Sequence, residues 1–160
     1  MLIEFLETFK ANRVLTYDIL DQLSDDELKV VWSRPGLNSF TKNIREMVAV
    51  EDAFTNAIHT RDMSFDLVPG VFDFQEEFNR VELLNEMKKS DKNLESSIEN
   101  SQENISINWF GMPVSLETHI TNLISHEVFH QGMMVMALYQ FNIAIPESWI
   151  ENWSLPRNSK

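Results

Sequence analysis

One stretch constrains this chain more than any other: Leu116 to Phe141, LETHITNLISHEVFHQGMMVMALYQF, which holds no proline and a single glycine. With Ser115 before it as an N-cap, the segment predicts a long helix. At 3.6 residues per turn, His119, Leu123, His126, His130, Met133 and Ala137 fall within an arc of roughly 80°. His126 and His130 stand four residues apart, so a rigid backbone aims both imidazoles at one place, where they can share a metal ion. His119 lies about two turns earlier on the same side.

Such a helix needs partners, and the rest of the chain supplies them. Leu2, Phe5, Leu6, Phe9, Thr16 and Leu20 share one side of a first helix from Leu2 to Leu20. Ser24 with Glu27 is a capping box that predicts a short helix through Trp32, stopped before Pro35-Gly36. Asn38 or Ser39 caps a second long helix running to about His59, with Val50, Ala53, Phe54 and Ala57 on its stripe and Asn43 and Glu46 on or beside it. An ionised glutamate there calls for a charged partner, a metal or water. The segment from Arg61 to Phe78 reads as a long connection that crosses one end of a bundle. Asn79 with Glu82 forms another capping box, opening a helix with Val81, Leu84, Met87, Leu94 and Ile98 inward and the run KKSDKNLESSIEN as a solvated face. Alternation at Ile105, Ile107 and Trp109 suggests extended chain, but no second strand is apparent to pair with it. Trp149 and Trp153 in the tail are expected to pack over a bundle end. The expectation is one domain, residues 1–160, built all-α as a four-helix bundle with a long crossover connection.

Composition narrows the function. A net charge of -12, from 25 acidic and 13 basic residues, repels nucleic acid and anionic lipid, so neither is an expected partner. Cysteine is absent, which excludes disulfides and thiolate ligands. No run approaches the roughly 18 apolar residues of a membrane span, and Glu4 and Glu7 make the first segment unlike a signal peptide. A soluble, cytoplasmic protein is expected.

His126-Glu127-Val128-Phe129-His130 also satisfies H-E-x-x-H, in which two histidines hold zinc and the glutamate acts as general base. Glu127 is thus the candidate catalytic residue of a metallopeptidase reading, with Glu147 or Glu151 as its third ligand. A peptidase also needs a strand edge to align a substrate backbone, and no sheet is predicted.

The segment ISHEVFHQGMMVMALYQFNIAIP more closely resembles the closing helix of the DinB-like four-helix bundles, the family that includes YfiT-like proteins. There two histidines separated by three residues are usually followed by Arg-Gly-Gln. His126, His130 and Gly132 match, while Gln131 stands where Arg is usual and Met133 where Gln is usual. SFTKNIREMVAVEDAF resembles the family segment that supplies the remaining ligand, usually a histidine. No histidine occurs between Asn38 and Phe54, and Glu46 best occupies the ligand's place.

The resemblance implies a divalent metal ion (Zn, Ni, Fe or Mn) on His126, His130 and Glu46; His119, Asn43 and Gln131, from their places beside those ligands, are the candidate site-lining residues. It also implies a homodimer and, from several relatives, a small-molecule substrate such as a low-molecular-weight thiol in a thiol or small-group transfer. The alternatives are a non-catalytic helical dimer with a vestigial metal site, and the H-E-x-x-H metallopeptidase.

Overall fold

Side chains at the helix starts set most of the boundaries in the computed structural model, which describes residues 2–74, 79–101 and 104–157. Its elements are α1 (Leu2–Gln22), α2 (Asp25–Leu28), α3 (Phe40–Thr60), α4 (Arg80–Glu99), β1 (Ser106–Trp109), β2 (Met112–Ser115), α5 (Leu116–Gln140) and α6 (Glu147–Trp153). Ser24 and Asn79 both close capping boxes: Ser24 Oγ accepts from Glu27 N at 3.2 Å and Asn79 Oδ1 from Glu82 N at 3.0 Å, with each glutamate bonding back. Ser39 and Ser115 cap α3 and α5. α2 stops at Leu28, short of Trp32. Trp32 leaves the helix to set its ring edge-on to Phe40, centroids 5.0 Å apart, and its N–H donates to the Asn38 carbonyl.

α1, α3, α4 and α5 form the bundle, in which α1 and α3 each pack against both α4 and α5. The chain therefore moves between diagonal helices at α1 to α3 and at α4 to α5. The long connection after α3 joins two neighbouring helices that run parallel, since Arg45, Asp52 and His59 of α3 meet Glu86, Ser90 and Ser97 of α4 in the same order, so it returns along the bundle as the expected long crossover. Its residues 75–78, like the Leu2 side chain, lie outside the described residues.

The all-α expectation holds for the bundle, but the stretch around Ile107, expected to lack a partner, does find one in a short hairpin. β1 and β2 pair antiparallel with Trp109 opposite Met112, closed by Phe110 and Gly111 at φ 50° and 93°. Both central residues have positive φ, the two-residue hairpin turn whose twist matches its strands. Asn108 also exchanges backbone bonds with Arg61 and Met63, so the segment after α3 covers the outer edge of β1. The expected alternation holds, with Ile105 and Ile107 buried.

The core divides into two clusters. One gathers around Ile19, Phe40, Met47, Met87, Met134 and Trp149, the other around Phe9, Phe54, Leu94, Ile107, Ile120 and Leu123. Between them runs a buried polar layer of Arg13, Thr16, Glu51, Glu127 and Gln131. On α4 the inward residue of the first turn is Leu83, while Val81 is 63% exposed. The expected solvated face of α4 is partly interior: Ser90 and Ser97 are buried, and Asp91 reaches Arg13. Of the two tail indoles, Trp149 is buried and its Nε1–H donates to the Leu15 carbonyl at 2.6 Å, whereas Trp153 is exposed.

Candidate metal centre

The inward stripe of α3 carries Asn43 and Glu46 one turn apart, and the facing stripe of α5 carries His126 and His130. Glu46 Oε2 lies 2.8 Å from His130 Nε2 and 3.3 Å from His126 Nε2, and the two Nε2 atoms are 3.2 Å apart. Bonds of about 2.0–2.1 Å to one ion set neighbouring donors about 2.9–3.4 Å apart in octahedral or tetrahedral coordination. The triangle has the size of one face of such a shell.

Asn43 decides which proton His130 keeps. Its Nδ2 donates to the Leu37 and Ser39 carbonyls at 3.0 and 2.8 Å, which turns Oδ1 toward His130 Nδ1 at 2.9 Å. The ring donates its Nδ1–H to that oxygen, and in the neutral imidazole Nε2 then presents a lone pair to the Glu46 carboxylate. Glu46 Oε2 is buried and makes no well-aligned hydrogen bond there. Lone pairs converging at this range repel unless a cation lies among them, so the donor set fits a metal ion.

Burial acts to raise the Glu46 pKa, but the neighbouring His126 and His130 outweigh it and bring the group down to about 2. Burial also holds His130 below its ordinary value, against the attraction of Glu46. A carboxylate beside a neutral imidazole is thus the favoured state near neutral pH.

Three residues expected at this site face elsewhere. Glu127 is buried toward α1, where its Oε1 accepts from Thr16 Oγ1 at 2.6 Å and lies 3.6 Å from Arg13 Nη1. Burial raises its pKa against Arg13 and Thr16. A carboxyl engaged on that face is not presented as a general base beside the His pair, which removes the catalytic role of the peptidase reading. Glu147, a candidate third ligand of that reading, is instead exposed on α6 and bound by Arg157. Gln131 follows Glu127 on the α1-facing stripe and donates to the Asn12 carbonyl and to Thr16 Oγ1, both at 3.1 Å.

His119 is the third. Trp109 Nε1–H donates to its Nδ1 and its Nε2–H donates to the Phe54 carbonyl, each at 2.9 Å, with the ring stacked on Phe54. Both nitrogens are committed, so His119 fastens the hairpin to α3 rather than lining the metal centre. Burial lowers its pKa against the Phe54 bond. The fold therefore favours the neutral ring: its contribution is whole above the unfolded value of about 6.5 and is lost as pH falls through the folded value. His119→Ala should cost roughly 2–3 kcal/mol at neutral pH. Urea unfolding from about pH 7 to about pH 5 should show a shallower acid-side loss in the variant than in the parent.

The polar layer is what the sequence pattern missed. Arg13 Nη2 lies 2.5 Å from Glu51 Oε2, and its Nε is 3.1 Å from Asp91 Oδ1. With Glu127, each long helix contributes one charged side chain. Tyr17 donates its hydroxyl to Asp91, and the Arg13 guanidinium lies over the Phe9 ring. Burial, together with Asp91 and Glu127, raises the Glu51 pKa well above the usual carboxyl range despite Arg13. The available signal was positional, since Arg13 falls one turn after Phe9 and Glu51 one turn before Thr55 on buried faces.

The sequence profile of the DinB family matches residues 1–142. A DinB-like protein from Bacillus cereus ATCC 10987 is 17% identical with a TM-score of 0.67, the match covering 89% of this chain and 93% of that one. YjoA, a DinB-like protein from Bacillus subtilis, is 17% identical with a TM-score of 0.64, over 87% of this chain and 92% of its own. At that identity the likeness establishes the fold alone. No curated protein matches the chain. Among the described residues, no helix is long and apolar enough to cross a membrane.

Proposed function

Since the chain belongs to the DinB family, we propose that it is a divalent-metal-dependent enzyme, with transfer of a low-molecular-weight thiol or another small group as its chemistry. Glu46, His126 and His130 are the ligands in this reading. The observation that carries it is the convergence of three donor atoms within 3.3 Å, one of them a lone pair fixed by Asn43.

A divalent ion held there supplies Lewis acidity that lowers the pKa of a substrate thiol. The protein's part is to hold and orient. Two neutral imidazoles and one carboxylate leave a single positive charge on a divalent centre, which favours an anionic sulfur ligand. The His126 side chain is 25% exposed against 3% for His130 and 13% for Glu46, so a small molecule enters along His126. In the transfer, sulfur forms a bond to an electrophilic carbon as that carbon's leaving group departs, and the thiol proton passes to solvent beside His126. The donor set suits Zn, Ni, Fe and Mn alike.

The protein is read as a cytoplasmic homodimer. Phe129 and Met136, 63% and 69% exposed, flank Gly132 on the outer face of α5, where a Cβ would meet nothing within 4 Å. That profile suits self-association of two α5 helices.

Untagged protein purified without chelators should carry stoichiometric divalent metal, and the cobalt-loaded form should gain a sulfur-to-cobalt charge-transfer band on addition of 2-mercaptoethanol. Metal-free protein that takes up none on dialysis rejects the centre. Bound cobalt with an unmoved spectrum rejects the thiol chemistry and leaves a non-catalytic site.

A further inference from the structure

In a chain with 25 acidic residues and only 13 lysines and arginines, cations readily find carboxylates. Arg13 meets Glu51, Lys10 meets Glu95 and Arg157 meets Glu147. Arg34 is different. Among the described residues its guanidinium forms no ion pair; Nη1 donates to the thioether sulfur of Met133, a weak neutral acceptor.

Its position adds to the contrast. Met133 lies three residues beyond His130 and seven beyond His126, on the same face of α5, so a group resting on it sits about one turn from the donor triangle.

The loop that carries Arg34 is built. Trp32 N donates to the Asn38 carbonyl at 3.0 Å, Arg34 N to the Trp32 carbonyl at 2.8 Å and Asn38 N to the Gly36 carbonyl at 2.8 Å. Gly36 has φ +77°, and a Cβ there would meet Val71 at 3.1 Å, so both conformation and space hold that turn to glycine. The Leu37 carbonyl of the same loop accepts from Asn43, which in turn holds His130. Arg34 and the metal ligands are thus referred to one local frame.

We propose that Arg34 is the anion anchor of the metal centre, and that the small molecule taken there is a thiol that also bears a carboxylate. The sulfur end rests on the reading given above; the carboxylate end rests on Arg34. A guanidinium offers a planar fork that a carboxylate fills with two parallel bonds, and the Met133 sulfur is a poor competitor for it. Charge points the same way. The ligands leave +1 on a divalent ion and Arg34 adds +1, matching the -2 of a thiolate with a carboxylate.

The test compares 3-mercaptopropionate with 2-mercaptoethanol on the cobalt-loaded protein, reading dissociation constants from the charge-transfer band. The parent should prefer the carboxylate-bearing thiol by about tenfold, the low end for a hydrogen-bonded charge because Arg34 is only half-buried. Arg34→Gln should remove the preference, weakening 3-mercaptopropionate binding far more than that of 2-mercaptoethanol, and Arg34→Lys should retain part of it. Succinate against propionate, read from the cobalt d–d bands, asks the same question without sulfur. A succinate preference lost in Arg34→Gln would sustain the anchor even if neither thiol bound and the thiol reading fell. The anchor is overturned if neither pair shows a preference in the parent, or if the preference survives Arg34→Gln.

Discussion

Arg13→Met is expected to destabilise the protein by about 3–5 kcal/mol, the usual cost of removing one partner from a buried ionic group. Arg13 is 3% exposed, and its guanidinium is the only cation within reach of Glu51, Asp91 and Glu127 in the described ion pairs. Methionine fills similar volume, so the loss is electrostatic rather than a cavity. The carboxylates at 0% and 1% exposure have no water to turn to and must take up protons or open the bundle. The sign of the pH dependence follows from Glu51, whose folded pKa is raised. Its contribution is whole below the unfolded value of about 4.3 and is lost as pH rises through the folded value. Without Arg13 to oppose burial that pKa rises further, so the variant should be less stable at about pH 8 than at about pH 5, and the urea midpoint difference from the parent should widen with pH. Glu51→Gln should cost much less, because the guanidinium keeps Asp91 and Glu127. A parent-like Arg13→Met midpoint across that range would mean that the layer is hydrated and contributes little.

How much of this was legible depends on the range of the interaction. Ser24 with Glu27 and Asn79 with Glu82 act over three residues, and both boxes form where the sequence places them. The convergence of Glu46 on His126 and His130 was legible because a helical wheel put each on an inward arc and the family resemblance brought the two arcs together. The wheel did not say which neighbour each stripe of α5 meets. That helix is buried against α3 and α1 at once, so His126 and His130 turn to one partner while Glu127 and Gln131, a residue further round, turn to the other. Arg13, Glu51 and Asp91 were hidden for a related reason: a search for apolar stripes passes over charged residues that share a buried layer. The hairpin was hidden because Phe110 fills a left-handed turn position where asparagine or glycine is the usual signal, and Pro113 lies inside its second strand. What holds it is not local: the Trp109 bond to His119 and the pairing of Asn108 with the segment after α3.

The second large effect concerns the ligand set, where Glu46→Gln and Asn43→Ala should fail in different ways. Asn43→Ala removes the acceptor that keeps the His130 proton on Nδ1, and loss of such an orienting partner typically lowers metal affinity by about 10–100-fold. It also strands the Leu37 carbonyl, while the Ser39 carbonyl keeps the backbone N–H of residue 43, so stability should fall by about 1–3 kcal/mol. Glu46→Gln removes a charged donor and should exceed that range, losing more than about 100-fold in affinity. Its effect on the metal-free fold is the reverse. The introduced amide can donate an N–H to the His130 Nε2 lone pair that faces the carboxylate oxygen at 2.8 Å, a hydrogen bond an ionised carboxylate cannot give that nitrogen. The metal-free variant should therefore melt at or above the temperature of the metal-free parent. Adding divalent ion at about 100 times the parent's Kd should stabilise the parent by about 2.7 kcal/mol and the variant by less than about 0.4 kcal/mol. Thermal melts of both proteins with and without a chelator read all of these quantities. A Glu46→Gln protein that melts with the same metal-dependent shift as the parent would remove Glu46 from the ligand set and leave the two histidines to hold the ion alone.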